Sequence, residues 1–187
     1  MKLSKSQKSN LIFLIVIAVL IIPQTRKPIQ VFLNKGLALF SPSIESSEKQ
    51  TTLKSYDWKL KDEQGHIFNF ESTKGKVVFI NFWATWCPPC IAEMPSMQAL
   101  YNDYHDKVEF LFVTTDWYSE INPFLEKHNY SFKVYRPAEG YPENFNITTI
   151  PRTFLIDKKG NIIIDESGAA NWNSAKVRAT IDGLLKP

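Results

Sequence analysis

The chain has 187 residues, of which 44% are hydrophobic and 22% are charged, so we expect one globular domain with additional segments. Its two cysteines are too few for a disulfide-rich scaffold, and they are also too few for a structural zinc site with four protein ligands. The net charge of +3 comes from residues 1–43, which contain bases and no acid, so the rest is net negative and nucleic-acid binding is disfavoured.

The N-terminus combines a basic head with an uninterrupted apolar run over residues 11–22. The uncharged span 9–25 would cover about 25 Å as a helix, slightly less than a bilayer core of about 30 Å. No small-x-small cleavage motif follows the run, which disfavours a cleaved signal peptide. We therefore predict an uncleaved transmembrane signal anchor over residues 1–25. The basic head keeps the N-terminus in the cytoplasm, and the remainder lies on the periplasmic or extracytoplasmic side of the cytoplasmic membrane.

A juxtamembrane segment is predicted over residues 26–52. Within it, residues 29–40 place apolar side chains at helical spacing. Two interpretations stay open for this stretch: a helix lying in the outer membrane interface, or a marginal apolar spacer. Residues 41–52 are polar and rich in serine and glutamate, so they are predicted to be a linker. The globular domain is then predicted to span residues 53–187.

That domain alternates predicted strands and helices. A β-hairpin is predicted over 56–60 and 66–70. The apolar strand 77–84, the helix 91–105 and the strand 108–114 form a βαβ unit, which predicts a parallel strand pair. Further elements are predicted over these ranges: helix 119–129, strands 132–135, 154–157 and 162–165, and helix 174–185. The pattern is that of an α/β domain.

Both cysteines lie where the strand 77–84 gives way to a helix, in the sequence Cys-Pro-Pro-Cys. Their spacing puts two sulfur atoms within bonding reach at a helix N-terminus, where the dipole and free N–H groups stabilise a thiolate. We predict a redox-active disulfide, with Cys87 as the better exposed, attacking thiolate and Cys90 as the resolving one. Pro88 suits a helix start because its φ is fixed and it has no N–H. The alternatives are an inert local disulfide and a metal-binding pair.

Three stretches carry a resemblance to a known family: 81–90 (NFWATWCPPC), 93–95 (EMP) and 150–157 (IPRTFLID). They resemble the thioredoxin superfamily, and most closely the membrane-anchored TlpA/ResA-type thiol–disulfide oxidoreductases of bacteria. The resemblance covers about residues 53–187. It implies a thioredoxin-like α/β fold, with a central mixed sheet flanked by helices, an extra N-terminal β-hairpin and an N-terminal transmembrane anchor.

The resemblance also implies roles for residues outside the cysteine pair. Pro151 is expected in the cis form beside the redox pair, with Ile150 presenting its backbone to a substrate chain. Trp86 and Pro88 are expected to complete the substrate-binding surface.

Two polar residues near the pair are harder to interpret. Glu93 is expected either to handle protons and raise a cysteine pKa, or to be a surface glutamate in the first helical turn. Asn81 lies where ordinary thioredoxins carry a buried aspartate. It cannot titrate, which makes Glu93 or water the candidate for proton transfer.

The implied activity is disulfide exchange with exported proteins, in the reducing direction, including apocytochromes c during haem attachment. Electrons would come from an upstream membrane thiol reductant, and no cofactor, no metal and no nucleic-acid partner is expected. A copper-binding assembly factor on a thioredoxin-like scaffold is the main alternative, although it favours Cys-x-x-x-Cys and a histidine near Pro151. A peroxiredoxin-type peroxidase is disfavoured because Cys87 lacks the Pro-x-x-x-Thr/Ser-x-x-Cys setting.

Overall fold

The computed structural model describes residues 4–46, 50–145 and 147–186. A seven-stranded mixed sheet with the order β2-β1-β5-β4-β3-β6-β7 forms its centre. The strands are β1 Lys59–Lys61, β2 Ile67–Asn69, β3 Val77–Phe82, β4 Val108–Val113, β5 Val134–Pro137, β6 Arg152–Ile156 and β7 Ile162–Ser167. The helices are α1 Lys5–Ile21, α2 Pro23–Leu37, α3 Pro88–Tyr104, α4 Tyr118–His128 and α5 Ala175–Leu185.

The central strand β3 organises the core. It pairs parallel with β4 and antiparallel with β6, and all six of its residues are buried. Successive side chains point to opposite faces of a sheet. Val77 and Phe79 therefore join the apolar cluster that contains residues of α3 and α5, whereas Val78 and Ile80 join the cluster on the other face. An apolar run of this kind suits a strand that is covered on both faces.

The predicted α/β domain, its parallel β3–β4 pair and its N-terminal hairpin are confirmed. The hairpin strands are shorter than predicted, at three residues each. Helix α3 begins at Pro88 rather than at residue 91, because proline is compatible with the first helical position, where no intrahelical N–H bond is lost. Ser174 caps α5 by accepting a hydrogen bond from the Val177 N–H.

The N-terminal segments form two helices. Helix α2 begins at Pro23 and ends at Leu37, so the helix predicted over 29–40 is shifted towards the N-terminus. None of the helices in the described ranges is by itself long and apolar enough to cross a bilayer. Taken together, α1 and α2 meet that criterion, but they are bent by 81° at the break between them.

Glu45 and Thr51, which lie between α2 and β1, hydrogen-bond to the edge strand β7. The Glu45 N–H donates to the Ile163 carbonyl at 2.9 Å, and the Ile162 N–H donates to the Thr51 carbonyl at 2.8 Å. These bonds satisfy backbone groups that an edge strand would otherwise leave open. Lys2 of the basic head and residues 47–49 of the predicted linker lie outside the described residues.

Candidate active site

The two cysteines form a disulfide at the N-terminus of α3. Cys87 and Cys90 are joined by an S–S bond of 2.03 Å, with their Cα atoms 5.3 Å apart. Cys87 is the N-cap of α3, and its Sγ accepts a hydrogen bond from the Cys90 backbone N–H at 3.3 Å. The same N–H and the helix dipole would stabilise a thiolate at Cys87 once the disulfide is reduced. The predicted pairing at a strand–helix corner is confirmed.

The exposure of the two residues differs less than expected. Cys87 is 2% exposed and Cys90 is fully buried. The order is as predicted, but both sulfur atoms belong to the apolar core cluster. The assignment of Cys87 as the attacking residue therefore depends on its N-cap position rather than on its accessibility.

The predicted substrate-binding residues lie near this corner. The Ile150–Pro151 peptide bond is cis, as expected from the resemblance. Antiparallel pairing of β6 with β3 places Arg152 opposite Phe82, so the residue before β6 lies beside the end of β3, where the cysteine loop begins. Ile150 packs against the core cluster that contains both cysteines. The Trp86 side chain is exposed, as a substrate-contacting residue requires.

Glu93 is a buried residue of the site, so its interpretation as a surface glutamate is wrong. Its Oε2 accepts hydrogen bonds from Trp172 Nε1 at 2.9 Å and from the Ala170 N–H at 3.3 Å, and its Oε1 accepts one from Asn81 Nδ2 at 3.1 Å. Burial raises the pKa of this carboxyl to about 8, against the opposing effect of the three donors. The group is therefore mostly protonated at neutral pH.

Asn81 connects the buried glutamate to the sheet. It points to the same face of β3 as Phe79, under α3, because side chains alternate along a strand. Its Nδ2 donates to Thr153 Oγ1 at 2.8 Å as well as to Glu93. Thr153 is its direct cross-strand partner on β6. Asn81 thus orients the carboxyl and supplies no titrating group of its own.

Two further contributors were not predicted from the sequence. Trp172 is fully buried and donates to Glu93, although the two residues lie 79 positions apart. Asp116 accepts hydrogen bonds from the Thr85 N–H at 2.7 Å, from Thr85 Oγ1 at 2.8 Å and from Trp86 Nε1 at 3.3 Å. The parallel pairing of β3 and β4 gave a usable signal for Asp116, because residues that follow two neighbouring parallel strands meet at the same edge.

None of the three histidines lies in this site. His66 contacts Asp62 in the β1–β2 hairpin, and His105 and His128 stand at the C-terminal ends of α3 and α4. Within residues 4–46, 50–145 and 147–186, no group of three or more His, Cys, Asp or Glu side chains is arranged to hold a metal ion.

Sequence comparison places the chain among thiol-redox proteins. The redoxin family profile matches residues 42–182. The thiol-disulfide oxidoreductase ResA of Bacillus cereus is 32% identical over 137 residues, which are 71% of this chain and 79% of that protein. The thioredoxin-like protein YneN of Bacillus subtilis is 36% identical over 57% of this chain, and ResA of Geobacillus kaustophilus is 38% identical over 57%. The matches span 65% and 63% of those two proteins' own lengths.

Solved structures support the same fold. A Chlorobium tepidum protein assigned as a thiol:disulfide interchange protein (DsbE) superposes with a TM-score of 0.61 at 25% identity, covering 72% of this chain and 97% of that one. A Bacteroides vulgatus protein assigned as a thiol-disulfide oxidoreductase gives 0.60 at 31% identity, covering 74% and 99%. The predicted thioredoxin-like fold is thereby confirmed. The chain belongs to the redoxin family and is a ResA-like member of the thioredoxin superfamily.

Proposed function

We propose that this chain is a thiol–disulfide oxidoreductase that exchanges disulfides with exported proteins through Cys87 and Cys90. The observation that carries the proposal is the disulfide at the N-terminus of α3, in which Cys87 is the helix cap and receives the Cys90 N–H. An inert structural disulfide has no need of a position that stabilises one thiolate. The names of the ResA relatives support the same activity.

The exchange proceeds in two steps. In the reduced protein the Cys87 thiolate attacks one sulfur of a substrate disulfide, that S–S bond breaks, and a mixed disulfide forms while the leaving substrate sulfur takes up a proton. The Cys90 sulfur, as a thiolate, then attacks Cys87 Sγ. The S–S bond between Cys87 and the substrate breaks, the second substrate sulfur leaves and takes up a proton, and the intramolecular disulfide forms. Two electrons pass from the cysteine pair to the substrate.

Glu93 is proposed to handle the proton of Cys90. It follows Cys90 by three residues on α3, so the two side chains lie on the same buried face of the helix. A carboxyl with a pKa of about 8 is mostly protonated at pH 7 and half ionised at pH 8, close to the ordinary pKa of a thiol, about 8.5, so the two groups can exchange a proton. Asn81 and Trp172 then act as positioning residues, because they hold the two carboxylate oxygens.

The proposed location is the outer face of the cytoplasmic membrane, with the N-terminus in the cytoplasm. The lysine-rich head, followed by the apolar helix α1, supports this orientation. A membrane thiol reductant would restore the reduced state, and the proposed direction is reduction of disulfides in exported proteins, with apocytochromes c as one substrate class.

Insulin reduction by dithiothreitol tests the activity. The wild-type chain should accelerate the precipitation of reduced insulin, whereas Cys87→Ser should fall to the rate of dithiothreitol alone. Lys54→Ser, on the exposed surface of the domain, is the matched control and should retain the wild-type rate. Equal rates for wild type and Cys87→Ser would contradict the proposed function.

The midpoint potential of the cysteine pair tests the direction. A reductant should give a value near −270 mV, as thioredoxin does, and a value near −120 mV would instead identify an oxidant.

A further inference from the structure

Helix α2 packs on the catalytic domain through its less apolar side. It lies against α3, the helix that begins at the cysteine pair. The half-buried residues of α2 and of its C-cap share one side of the helix, at positions Gln30, Val31 and Asn34 and at the cap residue Ala38. Two of these four side chains are amides, and a third is alanine. This composition is the reverse of a normal surface helix, which buries its apolar stripe against the core.

The opposite side of α2 is apolar and exposed. Phe32 is 75% exposed, Leu33 is 65% exposed and Ile29 is also exposed. At about 100° per residue these three side chains point away from Asn34 and hence away from α3. A contiguous apolar surface of this kind marks an interaction site. Apolar side chains of α1 and Ile22 are exposed as well.

Basic residues border this apolar surface. Arg26 and Lys35 are exposed, and on the helical wheel they fall on either side of Ile29, Phe32 and Leu33. No acidic residue occurs before Glu45. An apolar face flanked by lysine and arginine fits the interface of an anionic bilayer, where the apolar side chains enter the acyl boundary and the charges meet lipid phosphates.

The segment after α2 fixes the helix to the catalytic domain. The Phe40 carbonyl accepts a hydrogen bond from the Asn171 N–H at 2.7 Å, and the Pro42 carbonyl accepts one from Lys176 Nζ at 3.1 Å. Asn171 lies between Ala170 and Trp172, which are two of the three residues that donate hydrogen bonds to Glu93. The segment that follows α2 is therefore bonded to a residue that directly neighbours two of the groups holding Glu93.

We propose that the outward face of α2, formed by Ile29, Phe32 and Leu33, lies in the interface of an anionic phospholipid membrane. Helix α2 is then held between the bilayer on one side and α3 on the other. The redox site has a fixed distance and orientation relative to the membrane surface. The inference builds on the proposed membrane location but is independent of the cysteine chemistry.

Nitroxide labelling of the full-length oxidised chain tests this arrangement. Phe32→Cys and Lys54→Cys are each alkylated with a maleimide nitroxide while the Cys87–Cys90 disulfide remains closed. Lys54 is an exposed position on the catalytic domain and serves as the control. The proteins are placed in vesicles of phosphatidylglycerol and phosphatidylcholine. Collision rates with oxygen, which concentrates in the bilayer, and with a water-soluble nickel chelate are measured by electron paramagnetic resonance.

A label at position 32 should show a higher ratio of oxygen to nickel collisions than the label at position 54. Replacing Arg26 and Lys35 by glutamine should lower this ratio on anionic vesicles and leave the position-54 control unchanged. Water-like accessibility at position 32, equal to that at position 54, would overturn the proposal. Insulin reduction by the same labelled proteins reports the redox function separately, so the two proposals can fail independently.

Discussion

Replacing Glu93 by glutamine should remove most of a pH dependence of folding stability that this carboxyl creates. In the unfolded chain the group titrates near its ordinary value of 4.5, whereas burial raises its pKa to about 8 in the folded protein. Between these pH values the unfolded chain has released a proton that the folded protein still holds. The folded state therefore loses stability as the pH rises from about 4.5 to about 8 and is not penalised below that range.

The size of the effect follows from the two pKa values. Each pH unit in that window costs about 1.4 kcal/mol, so the accumulated loss at pH 7 is on the order of 3 kcal/mol. Glutamine keeps the shape but presents an amide to three N–H donors, which adds a cost of about 1–3 kcal/mol that does not vary with pH. The variant can thus be less stable than the wild type at pH 5 and still approach or exceed it at pH 8.

Urea denaturation of the oxidised proteins, repeated from pH 5 to pH 8.5, measures this difference, because the disulfide prevents the cysteines from titrating. The free energy of unfolding of wild type minus that of Glu93→Gln should fall steadily with pH and level off above about pH 8. Asn81→Asp would place a second acid in contact with Glu93, so it is unsuitable as a control. Lys54→Ser, at an exposed position that contributes no side chain to the site, should follow the wild-type curve. Parallel curves for Glu93→Gln and wild type would refute the reasoning.

Three further changes have expected outcomes. Trp172→Phe removes one donor to Glu93, so the stability loss should extend to higher pH in the same urea series; an unchanged window would contradict the role of the indole N–H. Asp116→Asn weakens the acceptor that holds Trp86 and its loop, which should lower the melting temperature and alter tryptophan emission; identical spectra would argue against a positioning role. Gly160→Ala places a Cβ 2.6 Å from the Tyr56 hydroxyl at a φ of +87°. The change should lower the free energy of unfolding measured by urea denaturation by about 1–3 kcal/mol. An unchanged free energy of unfolding would contradict the close contact and the backbone conformation of this turn.

The local sequence pattern was sufficient to predict the strands of the sheet and the position of the cysteine pair. The apolar run of β3 and the Cys-Pro-Pro-Cys turn identify the corner because strand burial and helix capping are properties of neighbouring residues. The burial of Glu93 also had a local signal. The buried residues Cys90, Met97 and Leu100 follow the helical spacing of one stripe, and Glu93 falls within it.

Other parts of the site depend on contacts between residues distant in the sequence. The hydrogen bond from Trp172 to Glu93 joins the segment before α5 to α3, and no periodicity in either segment encodes it. The start of α2 at Pro23 follows from a local preference of proline for the first helical turn. The packing of α2 on α3 through an amide-rich side, by contrast, does not follow from the apolar pattern of α2 itself. Tertiary contacts decided both features.

Trapping of a mixed disulfide tests most directly the claim that Cys87 is the attacking residue of a thiol–disulfide oxidoreductase. Reduced Cys90→Ser and Cys87→Ser are each mixed with an exported protein that contains a disulfide, and the adducts are mapped by mass spectrometry under non-reducing conditions. Cys90→Ser should accumulate an adduct through Cys87, because the resolving sulfur is missing, and Cys87→Ser should accumulate little. Equal adducts in both variants, or an adduct only through Cys90, would contradict the account.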